Sequence, residues 1–256
     1  MVSPAGAVGM TRNEVTCVIA AFNEAERIGG VLAALQAHPL IRQVIVVDDG
    51  SADRTAEIAA EFADVRVIRL ARNRGKTSAL SVGIELAETP LLLLLDADLL
   101  GLSADEVTAL VAPVWAGRAE AAISLRGNAP WLWQVIGLDY ISGERVLARD
   151  LLADRTEMLR RLPRFGFEVH LNGLLIERRC RLAVVRWPGV KSPPKSAKRG
   201  FWAGLRADAA MMRDIFRTVS PIEIVEQIIR MRRLRIRMPA GGVGAPQRQN
   251  ALELRD

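Results

Sequence analysis

Two carboxylates separated by one residue are the part of this chain best suited to binding a metal ion. Asp96 and Asp98 follow a wholly apolar run, residues 91–95, where the chain would leave a buried strand. Mg²⁺ and Mn²⁺ take one or two protein carboxylates and complete their shells with phosphate oxygens and water. A metal held here would act as a Lewis acid for a departing diphosphate. Helix capping is the alternative, but Ser103, followed by Glu106, suits that role better.

A second acidic pair, Asp48 and Asp49, follows another apolar run. Gly50 permits a tight turn, and Ser51 or Asp53 can cap the helix that follows. Two adjacent carboxylates exceed what one cap needs, so Asp49 in particular is predicted to accept an N–H of a nucleobase. The alternative is that both carboxylates only satisfy backbone donors of the turn.

A basic loop, which includes Arg74, precedes a predicted helix. Its residues Gly75, Lys76 and Thr77 are similar to the end of a phosphate-binding P-loop, but Leu70 stands where that motif needs its first glycine. A lysine at a helix N-terminus opposes the helix dipole, so Lys76 is predicted to be held there for an anion. The alternative is a solvated basic loop.

A further polar pair, Asn23 and Glu24, stands at a predicted strand-to-helix junction. Asn23 is a good N-cap residue, and Glu24 in a first helical turn interacts favourably with the helix dipole. Capping alone would explain Asn23, whereas a position beside the other polar clusters would give both residues a role in binding.

The elements that must position these residues alternate in hydrophobic period. Strands are predicted at residues 15–20, 43–47, 65–70 and 91–95, and helices at 24–37, 52–62 and 77–87. Strands joined by single helices form a mostly parallel sheet with helices on both faces, so the predicted class is α/β. Ligands bind such sheets at the carboxyl ends of the strands, where all four polar clusters stand. One shared site is therefore predicted.

The composition narrows the class of protein. The 256 residues carry a formal charge of +6, but residues 191–238 alone carry +8 and the first 190 carry −2. A nucleic-acid-binding domain would need its basic surface on the fold itself together with a reading element, and no such motif is present. Two cysteines give no disulfide framework, and no apolar run reaches the about 18–20 residues of a membrane span. No signal peptide is expected either, because no basic region precedes an apolar core.

The basic segment has its own pattern. Ser220 and Pro221 predict a helix start, and an apolar stripe follows at Ile222, Val225, Ile228 and Ile229, with arginines after it. Aromatic and apolar residues of 201–216 stand among further basic residues. This mixture favours an anionic membrane surface as a partner. The alternative is a helix that packs on the domain with a solvated basic face.

Together the motifs resemble the family 2 glycosyltransferases, which have the GT-A nucleotide-sugar fold. The matching pieces are residues 18–24, 46–51, 73–76 and 95–99, in the order and spacing of that family. The resemblance assigns to the nucleotide base the residues Ala20, Phe22, Glu24 and Asp49. It places Lys76 at the ribose or phosphates, and it gives Mg²⁺ or Mn²⁺ to Asp98 and Asp96. Most relatives have proline in place of Ala20, a change that removes no ligand.

Two later segments, 141–145 and 166–170, resemble the acceptor side of polyprenyl-phosphate sugar transferases and, less closely, of glucosyl-3-phosphoglycerate synthases. The second group commonly has an acidic residue where His170 stands, and its downstream metal-binding histidine has no counterpart, since the only other histidine is His38. Polyprenyl-phosphate mannose synthases often have a polar metal ligand where Leu100 stands. Water or another residue would then complete the metal shell.

The expected reaction is inverting transfer of a sugar from a nucleoside-diphosphate sugar to a lipid-phosphate, a small phosphorylated or a hydroxyl acceptor. A hydroxyl acceptor would need a general base, for which Glu168 is the first candidate and Asp139 the second, whereas a phosphate needs none. With the metal ligand Asp98, these are the predicted catalytic residues. Alternatively, Glu168 pairs with an arginine and His170 packs in the core.

Two other functions fit the sequence less well. A sugar-phosphate nucleotidyltransferase would have a glycine-rich basic loop at residues 20–24, and a non-catalytic, membrane-recruited sugar-nucleotide-binding protein would not need both Asp96 and Asp98.

The predicted organisation is a flexible start (1–12), a GT-A domain (13–190), basic amphipathic helices (191–238) and a disordered tail (239–256). The predicted location is the cytoplasm, at the inner face of the membrane. The oligomeric state is left open.

Overall fold

The structure is a computed structural model that describes residues 14–162, 166–193 and 220–237. The predicted flexible start and disordered tail lie outside these ranges. So does the aromatic part of the basic segment, residues 201–216.

The described chain alternates strands and helices in its first half and mixes them less regularly afterwards. The strands are β1 Val15–Ala21, β2 Ile41–Asp48, β3 Val65–Arg69, β4 Leu91–Asp96, β5 Ala121–Arg126, β6 Arg145–Ala148 and β7 Leu182–Trp187. The helices are α1 Ile28–Ala33, α2 Thr55–Ala60, α3 Lys76–Leu86, α4 Ala104–Trp115, α5 Trp131–Ile136, α6 Thr156–Leu159, α7 Gly166–Glu177 and α8 Pro221–Leu234.

The strands form one seven-stranded sheet in the order β3-β2-β1-β4-β6-β5-β7. The first four of these are parallel, and β5 is parallel to β7. Between β4 and β5 lies β6, antiparallel to both. The predicted mostly parallel α/β sheet is therefore confirmed. Because β6 runs in reverse, its amino end lies at the same edge as the carboxyl ends of the parallel strands.

Helices cover both faces of the sheet, as the continuous apolar strands predict. Cys17 and Ile19 of β1 point to the face covered by α1 and α4, and Val18 points to the other face. That second face is covered by α3, α7 and α8, whose Ile224 and Met231 are buried in the same core cluster as Val18. Helix α8 is thus packed on the domain.

Several boundaries differ from the predictions. Helix α1 begins at Ile28 and not at residue 24, and α2 is limited to Thr55–Ala60. Asn23 is not an N-cap: its backbone is left-handed, with φ 55°, and Arg27 precedes the helix. By contrast, the predicted capping box of Ser103 and Glu106 is present at α4.

The predicted start of α8 is confirmed, since the Ser220 side chain accepts the N–H of Glu223 and Pro221 is the first helical residue. The predicted single apolar stripe is wrong in one respect. Ile228 faces the core, whereas Ile222, Val225 and Ile229 are exposed. Over the described residues, no helix has both the length and the apolarity needed to cross a membrane.

Candidate functional site

One cavity of about 270 Å³ lies at the edge of the sheet where β1, β2 and β4 end. It is lined by Ala20, Ala21, Phe22, Glu24, Asp49, Asn73, Gly75, Lys76, Asp96, Ala97 and Asp98. The four polar clusters that are separated in sequence therefore meet in space. All the residues predicted for nucleotide-sugar and metal binding are among them, whereas Glu168 and Asp139 are not.

The two candidate metal ligands stand at the end of β4. Both side chains are partly exposed, while Ala97 between them is buried. Burial, and then the neighbouring charges of Asp96 and Glu24, raise the pKa of Asp98 to about 6. Carboxylates held this close repel one another, and a bound cation relieves that repulsion.

Lys76 already supplies one such cation. Its Nζ lies 2.7 Å from Asp96 Oδ1 and 3.4 Å from Glu168 Oε1. Loss of hydration disfavours the charged ammonium, but the two carboxylates outweigh it, so the pKa of Lys76 is raised. Lys76 begins α3 and Glu168 lies in the first turn of α7, so the pair joins elements 92 residues apart in sequence.

Gly143, just before β6, lets the backbone approach this ion pair. A Cβ at this position would stand 2.5 Å from Asp96 Oδ1 and 2.7 Å from Lys76 Nζ. Any residue other than glycine would therefore displace both charged groups. The segment 141–145, which the resemblance assigns to the acceptor side, is thereby brought against the ion pair of Lys76 and Asp96.

Asp49 holds the basic loop in place. Its two oxygens accept the backbone N–H groups of Arg74 and Gly75, at 2.8 and 2.7 Å. Its neighbour Asp48 accepts the N–H of Ser51. Asp48 therefore satisfies a donor of its own turn, whereas Asp49 satisfies donors of the loop after β3. Each oxygen of Asp49 still has a second lone pair, so its place on the cavity wall remains compatible with a nucleobase N–H.

The loop after β1 is fixed to the loop after β2. The backbone N–H of Asn23 donates to Ser51 Oγ, and Asn23 Oδ1 accepts the N–H of Ala52. Glu24 is ion-paired with Arg27 at 2.6 Å. Phe22 lies at the cavity wall and is 43% exposed, which is unusual for an aromatic side chain. Such a ring offers a stacking surface to a flat ligand.

A buried charged network lies behind the cavity. Arg126, the last residue of β5, pairs with Asp139 and Glu144 at 3.4 Å each, and both carboxylates are fully buried. Burial raises the pKa of Asp139 to about 6, although Arg126 opposes the shift. Ser124 and Ser142 also bond to Glu144. In this structure, therefore, Asp139 is enclosed and does not face the cavity.

Sequence reasoning missed Arg126 and Gly143. Arg126 could have been found, because it ends a strand parallel to β4 and so obeys the same rule as the other clusters. Its charge acts on the site by opposing the rise in the pKa of Asp98. Gly143 could not have been found in this way, because it precedes an antiparallel strand.

The residues present fit a metal ion whose coordination shell is completed by the oxygens of a diphosphate. Within the described ranges, no three His, Cys, Asp or Glu side chains are grouped so as to hold a metal by themselves. Asp96 and Asp98 would therefore supply the protein ligands, and phosphate oxygens and water the rest, as Mg²⁺ and Mn²⁺ accept. His38 bonds to the first turns of α4, and His170 lies half-buried on α7. Neither histidine lines the cavity.

A comparison with protein-family models matches residues 16–155 to glycosyl transferase family 2. Among curated proteins, dodecaprenyl-phosphate galacturonate synthase of Rhizobium johnstonii is 35% identical over 95 residues, which is 34% of this chain and 28% of that protein. Succinoglycan biosynthesis protein ExoU of Rhizobium meliloti is 36% identical over 89 residues, 33% of this chain and 26% of that protein. The matches thus cover about a quarter of these relatives.

Solved structures of similar fold include glucosyl-3-phosphoglycerate synthase from Mycobacterium tuberculosis. Its complex with Mn²⁺, UDP-glucose and phosphoglyceric acid gives a TM-score of 0.63 at 21% identity, over 84% of this chain and 80% of that one. The complex with Mn²⁺, UDP and glucosyl-3-phosphoglycerate gives 0.61 at 23% identity, over 80% of both chains. This likeness shows that the fold is shared.

Proposed function

The chain belongs to glycosyl transferase family 2, and from that premise we propose that it transfers a sugar from a nucleoside-diphosphate sugar to a phosphate-bearing acceptor, with a divalent metal. The observation that carries the proposal is the meeting of four strand-end loops at one cavity. They bring to it two adjacent carboxylates, a lysine and an exposed aromatic ring.

The donor base is assigned to the side of the cavity formed by the loops after β1 and β2. Phe22 offers its ring for stacking, and Asp49 accepts an N–H of the base. The loop that leads to Lys76 is fixed by Asp49, so the residue assigned to the base also positions the residue assigned to the phosphates.

The diphosphate is assigned to Asp96, Asp98 and Lys76. A bound Mg²⁺ or Mn²⁺ would act there as a Lewis acid for the leaving diphosphate. Lys76 must then exchange partners, because its ammonium pairs with Asp96 before the donor binds. Released from Asp96, it donates to the phosphate oxygens on which negative charge develops.

The same exchange would free Glu168. Its carboxylate is paired with Lys76 and its side chain is only 8% exposed, so the pair holds it beside the cavity. A hydroxyl acceptor would give its proton to this carboxylate, whereas a phosphate acceptor needs no base. In either case the acceptor oxygen forms a bond to the anomeric carbon, and the nucleoside diphosphate leaves with the electron pair of the broken bond. Asp139 is less suited to this role, because it is enclosed with Arg126.

A phosphate-bearing acceptor is supported by the relatives. Dodecaprenyl phosphate and 3-phosphoglycerate occur in the names of one similar sequence and one similar structure. The two acceptors share a phosphate and differ in the lipid chain, so a screen that contains both distinguishes them.

The direct test is turnover of a panel of nucleotide sugars with Mn²⁺, with a polyprenyl phosphate and 3-phosphoglycerate as separate acceptors. Asp98→Asn is expected to lower turnover about 10²–10³-fold, because charge on the leaving group loses its stabilisation. The matched control is Asp105→Asn, which neutralises an exposed carboxylate in the first turn of α4. Full activity of Asp98→Asn, or no release of nucleotide from any donor by the unaltered chain, would contradict the proposal.

A further inference from the structure

Exposed large apolar side chains among the described residues are concentrated on two helices. Nine such side chains occur, and six of them lie on α5 and α8: Trp131, Leu132, Val135, Ile222, Val225 and Ile229. Three are strongly exposed, with Trp131 at 74%, Val135 at 73% and Ile222 at 81%. Phe22, one of the other three, lines the donor cavity. The rest of the described surface has few features of this kind.

The two helices are neighbours on one side of the sheet. Ile136 of α5 and Ile228 of α8 pack against the same core cluster. The Tyr140 hydroxyl, four residues after α5, donates to Gln227 Oε1 at 2.9 Å. Just after α8, the Arg235 guanidinium lies 3.0 Å from the point where a Cβ on Gly137, the C-cap of α5, would stand. We call the exposed surface of these two helices the α5–α8 face.

Helix α8 is apolar on two opposite sides. Ile224 and Met231 are buried against the domain. Ile222, Val225 and Ile229 follow one another at intervals of three and four residues, which places them together on the outward side of the helix. A helix that only packed on the domain would have polar residues there.

Positive charge follows this outward stripe at the carboxyl end of α8 and just beyond it. Residues 221–237 contain five arginines and two glutamates. Burial, followed by the charges of Arg232 and Arg186, lowers the pKa of Arg235, so the Arg235 guanidinium lies close enough to both of them to be repelled. An anionic partner would relieve that repulsion.

We propose that the α5–α8 face docks on an anionic lipid bilayer, with the apolar side chains in the interface and the arginines at the headgroups. Aliphatic and tryptophan side chains beside arginines suit such an interface. A second copy of the chain would bring like charges together across a two-fold axis. Residues 194–219 would not neutralise the arginines either, since they contain six basic and two acidic residues themselves.

The test is flotation of the full chain with vesicles of phosphatidylcholine alone or with about one third phosphatidylglycerol. Binding is expected only to the anionic vesicles and is expected to weaken as salt is raised. This measurement does not depend on sugar transfer, so its outcome is separate from that of the proposed function. Equal binding to both kinds of vesicle, or to neither, would overturn the proposal.

Two sets of variants locate the binding to this face. Ile222→Gln/Val225→Gln/Ile229→Gln removes the outward stripe and keeps good helix propensity, and it is expected to raise the lipid concentration for half-maximal binding at least about tenfold. Arg232→Gln/Arg233→Gln is expected to raise it about 25-fold, since each arginine near the surface contributes about fivefold. The matched control, Arg42→Gln/Arg54→Gln, removes the same charge from two exposed sites away from this face, Arg42 in β2 and Arg54 just before α2.

Thermal unfolding and sedimentation of the triple glutamine variant, called the stripe variant, test whether the chain itself or a second copy covers the outward stripe. An outward stripe that is free before docking predicts an unchanged midpoint. A lowered midpoint with unchanged flotation would show that the chain itself covers the stripe. Dimers of the unaltered chain in sedimentation that the stripe variant lacks would assign the face to a second copy. Either result would overturn the proposal.

Discussion

The two halves of the molecule use their polar residues in opposite ways. In the first half, residues 14–126, polar side chains end parallel strands and line an open cavity. In the second half, the described residues from 127 onward, the charged groups nearest the site are enclosed. Asp139, Glu144 and Arg145 are all buried. The two carboxylates pair with Arg126, and Arg145 donates to Asn172 and to nearby backbone carbonyl groups.

The direction of one strand explains much of this difference. The carboxyl ends of β1, β2, β3 and β4 meet at one edge, and residues at or after each of these ends line the cavity. Strand β6 runs in reverse, so its amino end lies at this edge, where Arg145 stands opposite Leu94 of β4. Helix α7 covers this end on one side, so the end is inside the protein. Whether a charged residue at the end of a strand lines the cavity or stabilises the interior therefore depends on which elements pack over it.

The largest effect is expected from the buried network of the second half. Arg145 donates to Ser142 O, Tyr140 O and Asn172 Oδ1. Arg145→Met leaves three buried acceptors short of a donor, which is expected to lower the free energy of unfolding by about 3–5 kcal/mol. Urea denaturation measures this change.

The control for that variant is an arginine on the surface. Arg181→Met breaks an ion pair with Glu120 in which both side chains are about half exposed. It is expected to cost less than about 1 kcal/mol. If both variants cost the same, the contrast between a buried and an open network is wrong.

A smaller effect, confined to function, is expected at Lys76. Lys76→Met is expected to lower kcat/KM about 10²-fold, because charge on the diphosphate loses its donor. The same change removes the cation that pairs with Asp96. Binding of Mn²⁺ without donor, measured by electron paramagnetic resonance, is therefore expected to become tighter. Lys76→Arg keeps the charge and should leave donor-free Mn²⁺ affinity near that of the unaltered chain; weaker Mn²⁺ binding by Lys76→Met would refute the exchange of partners.

A still smaller effect is expected where the halves touch. Gly143→Ala would push its methyl group into the Lys76–Asp96 pair, and about a tenfold loss of kcat/KM is expected because active-site groups are displaced. Gly173→Ala is the control, since nothing lies within 4 Å of a Cβ there and helix α7 gains propensity. Equal activity of the two variants would mean that the halves are not coupled through Gly143.

The smallest effect is expected in the first half, away from the site. Ser103→Ala removes the capping box of α4 and is expected to lower the free energy of unfolding by about 1 kcal/mol. The donor affinity should not change, because Ser103 does not line the cavity. A change in donor affinity without a change in stability would show that the loop after β4 is coupled to α4.

The sequence alone was sufficient for the first half of the fold. Its strands are apolar and are separated by helices of regular period, so their parallel order and common edge follow from general rules. The common location of the four polar clusters could be predicted for the same reason, since each cluster stands at or shortly after the carboxyl end of a strand, and the family resemblance then assigned roles to individual residues. The short helices α1 and α2 were predicted too long, because apolar spacing continues into turns that the backbone closes early.

Only the tertiary structure decided the roles of the second-half residues. Glu168 meets Lys76 across 92 positions of the chain, and nothing local to either residue indicates the pair. The side to which each isoleucine of α8 points was also beyond the sequence, because a helix that is apolar on two sides has no single inward face. Residues that act where they leave a strand can be found from spacing, whereas residues that act through contact need the packed structure, because packing decides which charges are exposed and which are enclosed.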